Sequence, residues 1–288
     1  MDHGSRLSNI EVIIPTFNEE ANLPAALQSV MGWADAVHVV DSESTDRTRD
    51  IAIDAGALVV VKPWLGYAKQ KNWAIRNLPI GSDWIFILDA DEVILEPLRD
   101  ELLAIAAKDP DTVAESGYYV NRYFKFLGKR IRHCGFYPSW NLRFFKRGTA
   151  KYEDRAVHEH MLIDGPTLKL QGHMEHDDRR GLETYMAKHN RYSTLEAEAI
   201  LAGNADGEGL SANLFGNQLE RRRWMKERLY RHLPAKWLWR FIYMYVFRLG
   251  VLDGMTGLRF CLFMSAYELL IGLKIVELQK SGVRKAAP

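Results

Sequence analysis

Strand and helix patterns alternate through the N-terminal part of this sequence, and that alternation constrains the fold more than any other feature. IEVIIPTF (Ile10–Phe17) has the apolar run of a strand, and Leu23, Leu27 and Val30 then recur at helical spacing. AVHVVD (Ala36–Asp41) is a second strand. STDRTRDIAIDAG follows as a helix, with Ser44 or Thr45 as its N-cap and Gly56 as its C-cap. ALVVVK, YAKQKNWAIRNL and DWIFILDAD continue the series as strand, helix and strand. Short connections between such elements imply an α/β fold, a mostly parallel sheet with right-handed crossovers and flanking helices.

The pattern changes near Gly117. GYYVNRYFKFLGKRIRH predicts a hairpin turning at Leu127–Gly128, and WNLRFFKRG another strand. A polar helix over Leu182–Leu201 leads to AGNADGEGLSAN, the clearest loop, and GLRFCLFMSAYELLIGLKIVEL closes the chain as a helix. The expected organisation is a catalytic domain over 1–205 and a helical extension over 206–288.

Ligands of open parallel sheets bind beyond the carboxyl ends of the strands. Three predicted ends carry acidic groups: Glu19 and Glu20 beside Asn18 after the first strand, Asp41 at the second, Asp89 and Asp91 after the fourth. One such carboxylate is most often a helix cap; three on one edge point to a polar site. Two carboxylates separated by one residue suit a hard divalent cation, Mg2+ or Mn2+, which completes its shell with water and phosphate oxygens. The sequence has no Gly-rich phosphate loop of the P-loop or dinucleotide type, so a bound diphosphate would depend on such a metal.

PTFNEE, VDSESTDRT, GYAKQKNWA and LDADE, in that order, resemble the successive signatures of glycosyltransferase family 2, with its GT-A fold. RFFKRGTAKYEDRAVHEHM, the His176 region and RLGVLDGMTGLRF resemble a narrower branch, the lipopolysaccharide inner-core β-1,4-glucosyltransferases and related bacterial enzymes. The resemblance implies an inverting, metal-dependent transfer of a sugar, glucose before others, from a UDP-sugar to a hydroxyl of a lipopolysaccharide core or polyprenyl-linked saccharide. It puts Pro15, Thr16 and Glu19 in the nucleotide pocket and Asp41 at the uracil or ribose. It puts Lys69 at the nucleotide or diphosphate, Asp89 near the ribose or donor sugar, and Asp91 on the metal. The second motif departs from the family's Asp-Gly-Ser-Ser-Asp by reading Asp-Ser-Glu-Ser-Thr-Asp, which leaves Asp46 either a ligand or only the cap of the next helix.

An inverting transfer needs a stabilised leaving group and an acceptor for the hydroxyl proton. By the resemblance, Glu159 in EDRAVHEHM is the base and His158 its orienting neighbour or substitute; Glu153 and Asp154 are solvated loop charges. His176, ahead of His173, is a further metal ligand. Arg143 contacts phosphate or acceptor, or is a surface arginine of its strand.

A formal net charge of +1 argues against a dedicated nucleic-acid binder. Two cysteines without metal-ligand spacing, Cys134 and Cys261, and a polar N-terminus fit a reducing cytoplasm. KWLWRFIYMYVFRLG interleaves aromatic residues with Lys236, Arg240 and Arg248, too broken by charge to span a bilayer. It is expected to attach the protein peripherally to the inner face of the plasma membrane, near a glycolipid acceptor, or else to pack on the catalytic domain or on a second copy in a homo-oligomer. Two rival functions are a nucleotidyltransferase, whose Gly-rich entry loop and lysine are missing here, and a nucleotide-sugar-binding membrane scaffold without turnover.

Overall fold

The computed structural model describes residues 8–153, 161–202 and 234–281. The chain divides into two compact units, one within Met1–Arg130 and Phe136–Arg180, the other within Ile131–Gly135 and Gly181–Pro288.

The first unit is built on one sheet. β1 (Ile10–Thr16), β2 (Ala36–Asp41), β3 (Leu58–Val61) and β4 (Trp84–Ile87) are parallel, in the spatial order β3-β2-β1-β4. Helices α1 (Leu23–Val30), α2 (Thr48–Asp54) and α3 (Tyr67–Asn77) connect them. The chain runs outward from β1 to β3 and returns to β4 on the other side, so the strand order reverses between β1 and β4. This is where ligands of open α/β sheets bind.

β5 (Glu92–Ile94) and α4 (Glu96–Ala106) follow, then β6 (Gly117–Phe126), β7 (Lys129–Ile131), β8 (Trp140–Lys146), β9 (Ala150–Tyr152), β10 (Met161–Ile163) and β11 (Thr167–His176). The sheet continues from β4 through β8, β6 and β11 to β5, antiparallel except between β6 and β11. β9 and β10 form a separate pair. The β6–β7 hairpin turns at Leu127 and Gly128, both at positive φ (50° and 75°), the backbone a two-residue turn of matching twist requires. In β8, Phe144 pairs with Tyr118 and Leu142 with Tyr119, which leaves Arg143 as the extra residue of a β-bulge.

The central strands β1 and β4 are buried on both faces, which is why WIFI is apolar without alternation. Ile10, Val12 and Ile14 join Trp84, Phe86 and Phe144 in one core; Ile13, Ile85, Ile87 and Phe145 join Tyr152 in the other. α1 buries Leu23, Ala26, Leu27 and Val30, a single helical stripe.

Polar groups close the amino edge of this sheet. Buried Glu11 accepts the backbone N–H groups of Gly81 (2.7 Å) and Ser82 (2.8 Å) on one oxygen and meets His38 Nε2 at 2.6 Å on the other. Asn9 and Asp83 exchange two further hydrogen bonds at 2.9 Å.

One local expectation is corrected. α2 begins at Thr48 and is capped by neither Ser44 nor Thr45. Ser44 is consumed by the strand-end turn, where its N–H and hydroxyl both donate to Asp41. Asp46 does the capping instead, accepting from Thr48 N at 3.0 Å. Gly56 closes the helix at φ 83°, as expected.

The second unit holds α5 (Gly181–Leu201), α6 (Lys236–Ile242), a π-helical turn at Tyr243–Phe247, a 3-10 turn at Gly250–Asp253 and α7 (Gly254–Lys280). The loop expected after Leu201 lies outside the described residues from 203 onward. Cys134 and Cys261, distant in sequence, are buried free thiols with their Sγ atoms 3.5 Å apart. Among the described residues no helix is long and apolar enough to cross a membrane.

Candidate active site

The acidic strand ends first do structural work on one another. Thr16 and Asp41 are register partners on β1 and β2, and the Thr16 hydroxyl donates to Asp41 at 3.1 Å. Asp41 is fully buried, with both oxygens engaged by Thr16 and Ser44. Beyond it the two loops interlock. Asn18, at φ 53°, donates its N–H to Ser44 Oγ and accepts from Thr45 N, both at 2.9 Å. Glu19 N donates to Thr48 Oγ1 at 2.8 Å and Glu20 accepts from Arg47 N at 3.0 Å. PTFNEE and DSEST thus fix each other, leaving half-buried Pro15 and exposed Phe17 at the edge.

α3 braces the same edge through three consecutive side chains. Gln70 donates to Ser42 Oγ at the end of β2, and Asn72 exchanges two 2.8 Å hydrogen bonds with the backbone of Tyr152 in β9. Between them, buried Lys71 reaches Asp89 at 3.1 Å. Lys69 is exposed. Residues two positions apart on a helix are about 200° apart, so the turn that buries Lys71 leaves Lys69 toward solvent.

Asp89 lies just past β4 with Lys71 on one side and Arg143 on the other. Burial opposes its charge, but Arg143 and Lys71 outweigh burial and hold its carboxyl well below the usual carboxylate range. Arg143 also donates to Glu92 at 2.8 Å, and Glu92 accepts from Arg122 at 3.0 Å. Of the three carboxylates that end this strand, Glu92 is therefore directed inward, fully buried.

Asp91 meets His176. β5 pairs with β11 so that Glu92 is the register partner of His176, and Asp91 Oδ1 comes to 3.2 Å from His176 Nδ1. That nitrogen is buried and has no aligned hydrogen bond. Burial works against a charged imidazole here, yet Asp91 raises its pKa above the ordinary histidine value. His173 is elsewhere, stacked on Tyr123 with ring centres 4.4 Å apart and its Nε2 2.9 Å from the Tyr137 hydroxyl.

Glu19 belongs to this corner. Asn22 donates to it at 2.7 Å and Arg180 at 3.0 Å, while Arg180 also grips Asp178 at 2.7 Å. Burial, reinforced by Asp91 and Asp178 and opposed by Asn22 and Arg180, pushes the Glu19 carboxyl up to about 7.

The Asp91–His176 pair fits a divalent ion. Two ligands at about 2.1 Å on adjacent octahedral positions lie about 3.0 Å apart, close to the 3.2 Å seen. A metal would also give that imidazole nitrogen an aligned bond. Among the described residues no group of three or more His, Cys, Asp or Glu is placed to hold one metal ion, so water and diphosphate oxygens would complete the shell, as Mg2+ prefers. Glu159 and His158 lie outside the described residues.

Lys71, Arg122 and Arg180 belong to this site without a signature in the motifs, and Glu92, the third carboxylate of the acidic strand end, had no role of its own there. Lys71 had a signal: it falls on the stripe Ala68, Lys71, Ala74 that faces the sheet. Arg122 and Arg180 had none, since Glu92 and Glu19, which they hold at the site, are far away in sequence.

The family model for glycosyl transferase family 2 matches residues 11–165, which include Asp89 and Asp91 and stop short of His176. A glycosyltransferase of Rickettsia typhi, RT0209, is 32% identical over 211 residues, 68% of this chain and 69% of that protein. The lipopolysaccharide core biosynthesis glycosyltransferase LpsC of Rhizobium meliloti is 32% identical over 196 residues, 66% of this chain and 70% of that protein. Among solved structures, the mannosyltransferase PcManGT from Pyrobaculum calidifontis, in complex with GDP-Man and Mn2+, covers 93% of this chain and 87% of its own at a TM-score of 0.49 and 17% identity.

Proposed function

The chain belongs to glycosyl transferase family 2, and from that premise we propose that it moves a hexose, glucose first, from a UDP-sugar to a saccharide hydroxyl, with inversion and with the help of a divalent ion. The observation that carries the metal is the buried His176 Nδ1, without an aligned hydrogen bond, facing Asp91 Oδ1. When bound, the ion would act as a Lewis acid on the diphosphate leaving group.

The chain's own residues do the rest. Asp91 and His176 hold the ion. Asp89, kept ionised by Lys71 and Arg143, presents a carboxylate that accepts hydrogen bonds from sugar hydroxyls. Pro15, Thr16 and Asp41 form the floor beside the nucleoside, and exposed Lys69 meets the diphosphate from solvent. Glu159, oriented by His158, takes the proton of the acceptor hydroxyl. The relative LpsC, named for lipopolysaccharide core biosynthesis, supports a core saccharide as acceptor.

A lipid-linked acceptor calls for a membrane surface, and the second unit offers one. Trp237, Trp239 and Tyr243 are exposed beside Lys236 and Arg240, and Phe247 and Leu252 expose 72% and 63% of their surface. Aromatic and basic residues together favour the headgroup layer of anionic bilayers, which suits peripheral attachment at the cytoplasmic face.

A screen of UDP-sugars for UDP release, with Mn2+ and with EDTA, tests the reading. Metal-dependent release from one donor, rising with a core saccharide acceptor, is the expected result; no release from any donor would end it.

A further inference from the structure

Arg143 was a candidate for phosphate or acceptor contact, but its side chain is 6% exposed and committed inside the protein. It is the extra residue of the β8 bulge. Bulges re-aim one side chain, often beside an active site, and this one brings a guanidinium to the end of β4. A single nitrogen, Nη2, donates to both Asp89 Oδ2 and Glu92 Oε1. Nε of Arg143 and Nε of Arg122 are buried without hydrogen bonds.

Glu92 is the other half of the device. Its Oε1 accepts from Arg143 and Arg122, and its Oε2 accepts the backbone N–H of Asp89 at 3.1 Å. Glu92 thus restrains Asp89 twice, directly at the backbone and through Arg143 at the carboxylate. Along the chain Glu92–Arg143–Asp89 the side-chain exposure rises from 0% to 6% to 31%. Only the last member can meet a ligand; the first two act through it. Buried ion pairs are weak devices for stability alone, and two unsatisfied Nε atoms make this one weaker still.

We propose that Arg143 and Glu92 are positioning residues for sugar transfer: Glu92 aims the Arg143 guanidinium, and the guanidinium fixes the Asp89 carboxylate in the orientation that meets the donor. The inference rests on the reading of Asp89 as a donor contact. A lysine at 143 keeps the charge but carries it on a flexible stem, without the rigid guanidinium plane that holds Nη2 between the two carboxylates. A glutamine at 92 keeps the shape but loses the charge that holds the guanidinium.

The test is nucleotide-release kinetics of Arg143→Lys and Glu92→Gln with Mn2+, alongside thermal melts of each variant. The expected result is a kcat lowered roughly 10²-fold, as small misplacements of a reacting group produce, with donor KM little changed and the melt cooperative. Asp89→Asn combined with Arg143→Lys should lose no more than Asp89→Asn alone, because residues that act as a unit do not multiply their effects. Should Arg143→Lys not fold, Glu92→Gln and its double with Asp89→Asn carry the same measurements. Full kcat in the folded variants, losses that multiply, or a loss that only tracks the folded fraction would overturn the proposal. Wild-type protein inactive with every sugar nucleotide sinks the donor reading and the proposal together; normal wild-type turnover with unaltered variants sinks the proposal alone.

Discussion

His176 Nδ1 stands 3.2 Å from Asp91 Oδ1 because β5, the short strand after the acidic motif, pairs with β11, and that pairing sets Glu92 opposite His176. Asp91→Asn should therefore abolish metal-dependent UDP affinity, a loss on the order of several kcal/mol, with the melting temperature little changed. Isothermal titration of UDP with and without Mn2+ makes the measurement. His176→Gln should weaken Mn2+ affinity less, since a carboxylate and the diphosphate remain; unaltered affinity in both variants would refute the metal assignment.

Glu159→Gln should lower kcat by about 10²–10⁴-fold, the usual worth of a general base, and leave UDP affinity intact. The amide keeps the shape but cannot take the proton. Full turnover in this variant, with His158→Ala inactive, would transfer the role to the histidine.

Glu19 makes metal-free stability depend on pH. Its carboxyl moves from the ordinary 4.5 up to about 7 on folding, chiefly by burial. The native state then binds the proton more tightly than the unfolded chain. Its stabilising contribution is complete below pH 4.5 and is lost as pH rises through 7. In EDTA, Glu19→Gln should match wild type in melting temperature near pH 5 and exceed it near pH 8. Equal melting temperatures at both values would show that Arg180 compensates the charge in full.

The parallel half of the sheet was legible because WIFI and VII (Val12–Ile14) are apolar without break and each helix between them carries one buried stripe. The hairpin at Leu127–Gly128 was legible from its turn residues. What the sequence could not convey is long-range pairing. Nothing near Glu92 announces that it is directed inward, since its partners Arg122 and Arg143 arrive by strands 30 and 51 residues later. Ser44 misled for a related reason: a hydroxyl that caps helices elsewhere is taken here by Asp41, three residues back. Lys69 and Lys71 look equivalent in a string of letters, and only helical phase separates them.

Exposed Trp237 and Phe247 predict membrane binding that salt weakens but does not abolish. Basic side chains at an anionic surface contribute about 1 kcal/mol each and are screened, whereas buried apolar area is not. Lys236→Glu with Arg240→Glu should shift the protein toward the supernatant in co-sedimentation with anionic liposomes, leaving UDP binding intact. Wild-type protein that stays in the supernatant with anionic and neutral liposomes alike would assign this surface to protein contacts instead.

The knot at the amino edge of the sheet bears on how the molecule opens. Gly81, Ser82 and Asp83 form a connection rather than a strand, and the amides of such connections ordinarily exchange with solvent through small local fluctuations. Here three successive amides are all spoken for, two by buried Glu11 and one by Asn9. Freeing them means pulling β1 away from β2 and β4. The turn that feeds β4 should therefore exchange with the slow set of core amides, making the lead-in to the acidic motif part of the last structure to be lost.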